Sequence, residues 1–239
     1  MTELLYLETL ETNYIGAKVV KKFENEIGKT VLILDKTIFY PQGGGQPYDT
    51  GIISNSSSTF YVEEVRFIDG EVHHIGKFEN EVIDQDMLVD LKIDENRRYL
   101  NSKLHTSGHL IDIALRKLGK SSIKPIKGFH FPEGPYVEYL GDVTESLSIE
   151  NLQDEITKLV KTGYIVQTKL VSMDVAKKEC YFFPSYIPEG KPIRIVSVWN
   201  NEYIPCGGIH VSNINELKGL TIKEFKFKKG NTRVSYTIG

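Results

Sequence analysis

The sequence predicts an α+β protein in two parts: a small N-terminal β-barrel, then a domain in which an antiparallel sheet is backed by two main helices. Three observations carry this. Residues 1 to about 92 hold short β-rich runs at the spacing of a small barrel or sandwich, with no convincing helical periodicity. The composition shifts near Asp94, where a long helical pattern begins. Beyond it, helical and strand patterns follow one another as in an α+β domain. The two parts are placed at residues 1–93 and 94–239.

In order, residues 4–7 open as a strand, followed by strands over 15–23 and 29–34. Phe60-Tyr61-Val62 and Val65-Arg66-Phe67-Ile68 read as two strand runs ahead of Asp69-Gly70, a two-residue hairpin signal. Residues 71–75 and 87–93 complete the set. A helix is expected from Asp94, a side-chain N-cap, to about residue 118, where Gly119 supplies the left-handed stop. Leu100, Leu104, Ile111, Leu115 and Leu118 form its apolar stripe. Residues 128–131 and 136–139 read as a hairpin. A second helix over 149–161 is capped by Ser148 and closed by Gly163. Strands over 164–171 and 192–199, a short helix over 174–179 and a last hairpin around Lys229-Gly230-Asn231 follow.

The first helix carries His105 and His109 beside its apolar stripe. Residues four apart lie on one helix face, about 5–6 Å apart at Cβ, so both imidazoles can reach one ion. A hundred residues later Cys206 and His210 repeat the spacing. In a chain with six histidines and two cysteines, chance rarely supplies both pairs. Together they predict one Zn²⁺ per chain. Structural zinc is usually held by closely spaced cysteines. A histidine-rich set drawn from distant segments points instead to a catalytic or substrate-positioning ion. Four protein ligands would fill a tetrahedral zinc, so direct water activation needs one ligand to be distant or the site to become five-coordinate, and His210 is the expected weak ligand.

Composition sets the outer bounds. A hydrophobic content of 40% and a charged content of 26% are those of a soluble globular protein. No stretch approaches the ~20 apolar residues of a membrane span, and no signal peptide is visible. Two cysteines, one assigned to metal, argue against a disulfide framework and for the reducing cytoplasm; Cys180 reads as a buried thiol and His130 as structural. A general nucleic-acid binder is usually basic, so at a net charge of −3 any RNA contact must come from local patches. Two are visible: Arg116, Lys117, Lys120, Lys124 and Lys127, and Lys218, Lys223, Lys226, Lys228, Lys229 and Arg233.

Within the β-rich part lies Thr37-Ile38-Phe39-Tyr40-Pro41-Gln42-Gly43-Gly44-Gly45-Gln46-Pro47-Tyr48-Asp49. It is neither a P-loop nor a dinucleotide-binding fingerprint. Successive glycines permit close backbone approach, so Gln42 to Gln46 are candidates for lining a substrate site on the second part.

At these residues the chain resembles the editing domain shared by alanyl- and threonyl-tRNA synthetases. The glycine-rich stretch, and Arg97-Arg98 ahead of the histidine pair, are similar to the alanyl branch. The absence of an aminoacylation domain resembles the freestanding AlaX group, of the medium-length type. The resemblance implies a zinc-dependent hydrolase of tRNA(Ala) mischarged with serine and, in some members, glycine. It places the ion on His105, His109, Cys206 and His210. A non-catalytic zinc-containing tRNA-binding module and a hydrolase of another ester stand as alternatives. Gly108, where many members carry another residue, is the one departure noted. For the chemistry, the Gly207 and Gly208 N–H groups are candidate oxyanion donors, and Thr37 is the candidate reader of the serine hydroxyl. A monomer is expected.

Overall fold

The computed structural model describes every residue except Ile123, Thr144, Tyr186, Pro188, Glu189 and Lys191. The chain divides into two compact units, Met1–Gly43 with Pro47–Leu100, and Gly44–Gln46 with Asn101–Gly239. No helix among the described residues is long and apolar enough to cross a membrane.

The first unit contains β1 (Glu3–Leu4), β2 (Asn13–Glu24), β3 (Thr30–Leu34), β4 (Lys36–Thr37), β5 (Gly51–Ser54), β6 (Thr59–Ile68), β7 (Glu71–Phe78) and β8 (Leu88–Ile93). Six of these close a barrel in the order β2-β3-β7-β6-β5-β8, with β8 returning to pair with β2. Closure removes the unpaired edges that an open sheet would expose. Alternation decides which side faces in: Val89, Leu91 and Ile93 of β8 are buried, while Leu88, Asp90 and Lys92 face out. The inward residues of the other strands, among them Val19, Leu32, Phe60, Val65 and Val72, fill the interior. Asp69 and Gly70 both take positive φ, 49° and 82°, as the two-residue hairpin requires.

Two strand expectations are corrected here. Residues 5–7 form a 3₁₀ turn, leaving only Glu3–Leu4 to pair, in parallel, with β4. The two runs over 60–62 and 65–68 are one strand, β6, whose register shifts between Val62 and Glu64. That bulge lets one continuous strand carry both runs.

The second unit follows from α1 (Glu95–Lys117), whose first residues belong to the first unit. The Asp94 carboxylate accepts the Arg97 N–H at 3.0 Å, capping the helix start, and Gly119 ends it at φ 89°. The rest comprises β9 (Lys124–Phe129), β10 (Tyr136–Leu140), α2 (Ile149–Thr162), β11 (Gln167–Val171), α3 (Met173–Glu179), β12 (Ile193–Ser197), β13 (Tyr203–Pro205), β14 (Thr221–Lys228) and β15 (Asn231–Thr237). Ser148 caps α2 by accepting the Asn151 N–H, and Gly163 closes it in the left-handed region.

The α+β class and the barrel are as the sequence predicts. The antiparallel strands of the second unit form two sheets, a four-stranded β14-β15-β10-β9 and a three-stranded β11-β12-β13. Strand β12 buries both faces. Val196 joins the core around α1 and α2, whereas Ile193 and Ile195 pack with Ala176 of α3 and Tyr203 of β13. The apolar stripe of α1 is broader than expected. Leu104, Ile111 and Leu115 are buried, but so are Leu110, Ile113 and Ala114, while Leu100 is exposed. A helix covered on most sides holds the groups it carries in fixed positions.

Candidate metal centre

His105 and His109 project from α1, and Cys206 and His210 from the segment after β13. The structure brings one ligand atom from each within 4.8 Å of the others. Cys206 Sγ stands 3.4 Å from His105 Nε2 and 3.4 Å from His210 Nε2. Nitrogen and sulfur donors bound tetrahedrally to one zinc at 2.0–2.3 Å stand about 3.3–3.7 Å apart, so these two edges fit a shared ion.

The tautomers fit as well. Thr106 Oγ1 donates to the Ser102 carbonyl at 2.7 Å, so its lone pairs accept, from His210 Nδ1 at 3.2 Å and from Val211 N–H at 3.2 Å. His105 Nδ1 donates to Gln46 Oε1 at 2.7 Å. Both rings therefore carry their proton on Nδ1 and turn an Nε2 lone pair toward Cys206. His109 Nε2 is buried with no hydrogen-bond partner among the described residues. An unpaired buried nitrogen costs about 1–3 kcal/mol, and a metal ion relieves that cost.

Electrostatics favour the same reading. Burial, with the neighbouring imidazoles and Arg194 adding to it, holds His105 and His210 well below the usual histidine range. Burial and Arg194 bring His109 down to about 4. Neutral imidazole is the metal-binding form. Burial pushes the Cys206 thiol up, opposed by the Gly208 N–H, which donates to Sγ at 3.3 Å, and by Arg194. The thiolate thus calls for a cation beside it.

The turn carrying Cys206 is built for close approach. Arg194 Nη1 donates to the Cys206 and Gly208 carbonyls, both at 2.9 Å. A Cβ at Gly208 would lie 2.0 Å from His105 Cε1, so any side chain there would expel the His105 ring. Of the two glycines, Gly208 thus supports the thiolate and gives His105 its space, while Gly207 faces open space.

The glycine-rich stretch is divided by the structure. Gln42 and Gly43 belong to the barrel unit, where the Gln42 N–H meets the Val65 carbonyl at 3.1 Å and the Gly43 carbonyl accepts the Tyr40 hydroxyl at 3.0 Å. Gly44, Gly45 and Gln46 belong to the second unit. Gly45 lies against Gly128, and its carbonyl accepts the His130 N–H at 2.8 Å. Gln46 reaches the metal centre. Thr37 lies in β4, fully buried; its hydroxyl pairs with His74 Nε2 at 2.8 Å and accepts the Phe39 N–H.

Two contributors were not legible in sequence, and His130, read there as structural, is a third support. Thr106 orients His210, and Arg194 pins the ligand turn; neither type nor spacing signals such a role. His130 stacks on His105 with ring centroids 4.5 Å apart, its Nδ1 donating to the Tyr236 hydroxyl at 2.6 Å. That hydroxyl in turn donates to the Leu104 carbonyl at 2.9 Å, so His130 buttresses the first ligand.

Residues 3–97 match the family model for class II (A) tRNA synthetases. The whole chain aligns at 30% identity with the alanyl-tRNA editing protein AlaX-L of Pyrococcus horikoshii, spanning 58% of that protein. It aligns at 28% identity with the alanyl-tRNA editing protein AlaX-M of Methanosarcina barkeri, spanning 99% of it. With the alanine–tRNA ligase of Sulfurisphaera tokodaii the identity is 28%, over 26% of the ligase. The chain thus covers little more than half of the first of these relatives and about a quarter of the ligase. These relatives support the AlaX-type resemblance drawn from the motifs.

Proposed function

We propose that this AlaX-type chain is a zinc-dependent hydrolase that removes the wrong amino acid from mischarged tRNA(Ala), with serine the main cargo and glycine a second. The observation that carries the reading is the converging His105, His109, Cys206 and His210 set, its rings oriented by Gln46 and Thr106. A bound zinc ion supplies a Lewis acid for the ester carbonyl and lowers the pKa of water to near neutrality.

The chain's own residues do the rest. His105, His109, Cys206 and His210 would hold the ion, with His210 proposed as the weakest of the four ligands. Gln46 Oε1 is committed to His105 and to the Ile209 N–H at 3.0 Å, whereas its Nε2 is buried with no partner among the described residues. Leaving a buried amide donor unpaired costs about 1–3 kcal/mol, which an accepting oxygen would relieve. We assign that oxygen to the aminoacyl ester. Because the Gly208 N–H is donated to Cys206, the Gly207 N–H is carried forward as the second oxyanion donor. Discrimination against alanine requires a group left unpaired when the serine hydroxyl is missing. Thr37 is retained for that role; its proton is committed to His74, so it would accept from the serine hydroxyl.

The test is deacylation of Ser-tRNA(Ala) against Ala-tRNA(Ala) by wild type and Cys206→Ala, with bound zinc assayed in both. Rapid serine release by wild type, lost together with zinc in the variant, is expected. Zinc-loaded wild type that binds tRNA but releases nothing would replace this reading with the binding module. Turnover of free serine esters without tRNA would replace it with a small-ester hydrolase. Thr37→Val tests the reader separately: an unchanged serine preference removes Thr37 from the proposal.

A further inference from the structure

The four-stranded sheet has two unlike faces. One is apolar: Val137 and Tyr139 of β10 and Val234 and Tyr236 of β15 are buried in the core that contains α1. The other is exposed and cationic. Pairing registers align Lys226 with Arg233, Arg233 with Glu138 and Glu138 with Lys127 in one row across the sheet. The next row on the same face aligns Lys228, Asn231, Leu140 and Lys124. Five cations thus stand on this face against the carboxylates of Glu138 and Glu224, in a chain whose net charge is −3. Side chains two residues apart on a strand share a face, so a backbone shift cannot disperse them.

The cations are available. Among the described residues no carboxylate pairs with Lys226 or Lys228, and Arg233 meets Glu138 only at 3.6 Å. Those two lysines, with Lys229, Asn231, Arg233 and Glu138, line one depression on the face. The other basic cluster seen in the sequence is dispersed: Arg116 pairs with Glu202 at 2.9 Å and Lys117 with Glu155 at 3.4 Å.

Aromatic rings continue the face. The Arg233 guanidinium lies 3.9 Å above the Tyr136 ring, Tyr136 stacks on Phe129 at 5.4 Å, and Phe129 on Phe131 at 4.5 Å. His130, between those two phenylalanines, turns the other way, onto His105. The aromatic ladder therefore runs from the cationic rows to the residue that buttresses the metal centre. Clustered cations bind phosphates, and stacked rings beside them accept unpaired bases.

We propose that this face, centred on Lys226, Lys228 and Arg233, docks the sugar–phosphate backbone of the tRNA whose ester reaches the metal centre. The inference rests on the tRNA reading above. The test measures binding of uncharged tRNA(Ala) transcript to the full chain over a range of salt concentrations. Wild type is compared with the triple variant Lys226→Ala/Lys228→Ala/Arg233→Ala. A second triple variant, Lys161→Ala/Lys177→Ala/Lys178→Ala on α2 and α3, removes the same charge elsewhere.

Loss of three phosphate contacts should weaken binding about tenfold or more near physiological salt. It should also flatten the slope of log K against log salt by about three. The KM for deacylation should rise with kcat unchanged, since the ligands are untouched. The α2–α3 variant should match wild type. Equal weakening by both variants would reduce the effect to overall charge and overturn the proposal, as would wild-type binding by the sheet variant. Wild type that binds no tRNA would overturn the substrate reading itself, and this face with it. Thermal melting of both variants separates loss of binding from loss of fold.

Discussion

Gln46 Oε1 lies 2.7 Å from His105 Nδ1 and 3.0 Å from the Ile209 backbone nitrogen. One amide oxygen therefore fixes the tautomer of the first ligand and the backbone between Cys206 and His210. Outer partners of metal-bound histidines typically contribute 10–100-fold in metal affinity. Gln46→Ala should weaken zinc binding by about that factor in a chelator competition, while Gln46→Glu, which keeps an acceptor, should retain most of it. Equal affinity in Gln46→Ala and wild type would remove Gln46 from the support of the site.

Gly108 sits in the interior of α1, where helix propensity alone favours alanine by up to ~1 kcal/mol. The structure reverses that sign. A Cβ at residue 108 would lie 2.5 Å from His130 Cε1 and 3.3 Å from Val137 Cγ1. His130 is held by Tyr236 and cannot retreat without disturbing the stack on His105. Gly108→Ala should therefore destabilise the protein by about 1–3 kcal/mol in denaturant unfolding. A variant as stable as wild type would show that the ring has room to move.

Within the barrel unit, Arg98 and Asp49 form a buried ion pair, with Arg98 Nε 3.1 Å from both carboxylate oxygens. Arg98 also donates to the Ile38 carbonyl at 2.6 Å, and Asp49 accepts the Tyr40 N–H at 2.7 Å. Removing one partner strands the other charge, at a cost of about 3–5 kcal/mol. Asp49→Asn should lower stability by that order, and Asp49→Asn/Arg98→Met should recover part of it. Additive losses in the double-mutant cycle would contradict coupling.

His74 provides a pH test. Its Nδ1 donates to the Leu32 carbonyl at 3.0 Å and its Nε2 accepts the Thr37 hydroxyl. Burial, reinforced by His73, brings its pKa from 6.5 down to about 4. With the folded value depressed, the unfolded chain binds the proton more readily between these limits. The group's contribution is thus whole above pH 6.5 and is lost as pH falls through about 4. The shift corresponds to roughly 3 kcal/mol. Urea unfolding of wild type should lose that much more stability over this window than His74→Phe. Parallel pH profiles would mean that His74 does not drive acid unfolding.

The sequence by itself determined the α+β class, the barrel, the ends of α1 and α2 and the two spaced pairs, His105 with His109 and Cys206 with His210. These are local matters: alternation of period two, helical periodicity, a capping side chain, a left-handed glycine and a four-residue spacing each act over a few residues. The tertiary structure alone decided the rest. It set the antiparallel strands of the second unit in two sheets, and it assigned Gln42 and Gly43 to one unit and Gln46 to the other. It chose Thr106, Arg194 and His130 as supports of the metal centre, and it gathered scattered lysines onto one sheet face. Each of these depends on pairings across tens to more than a hundred residues, whose register is set by packing of the folded chain and leaves no periodic trace along it.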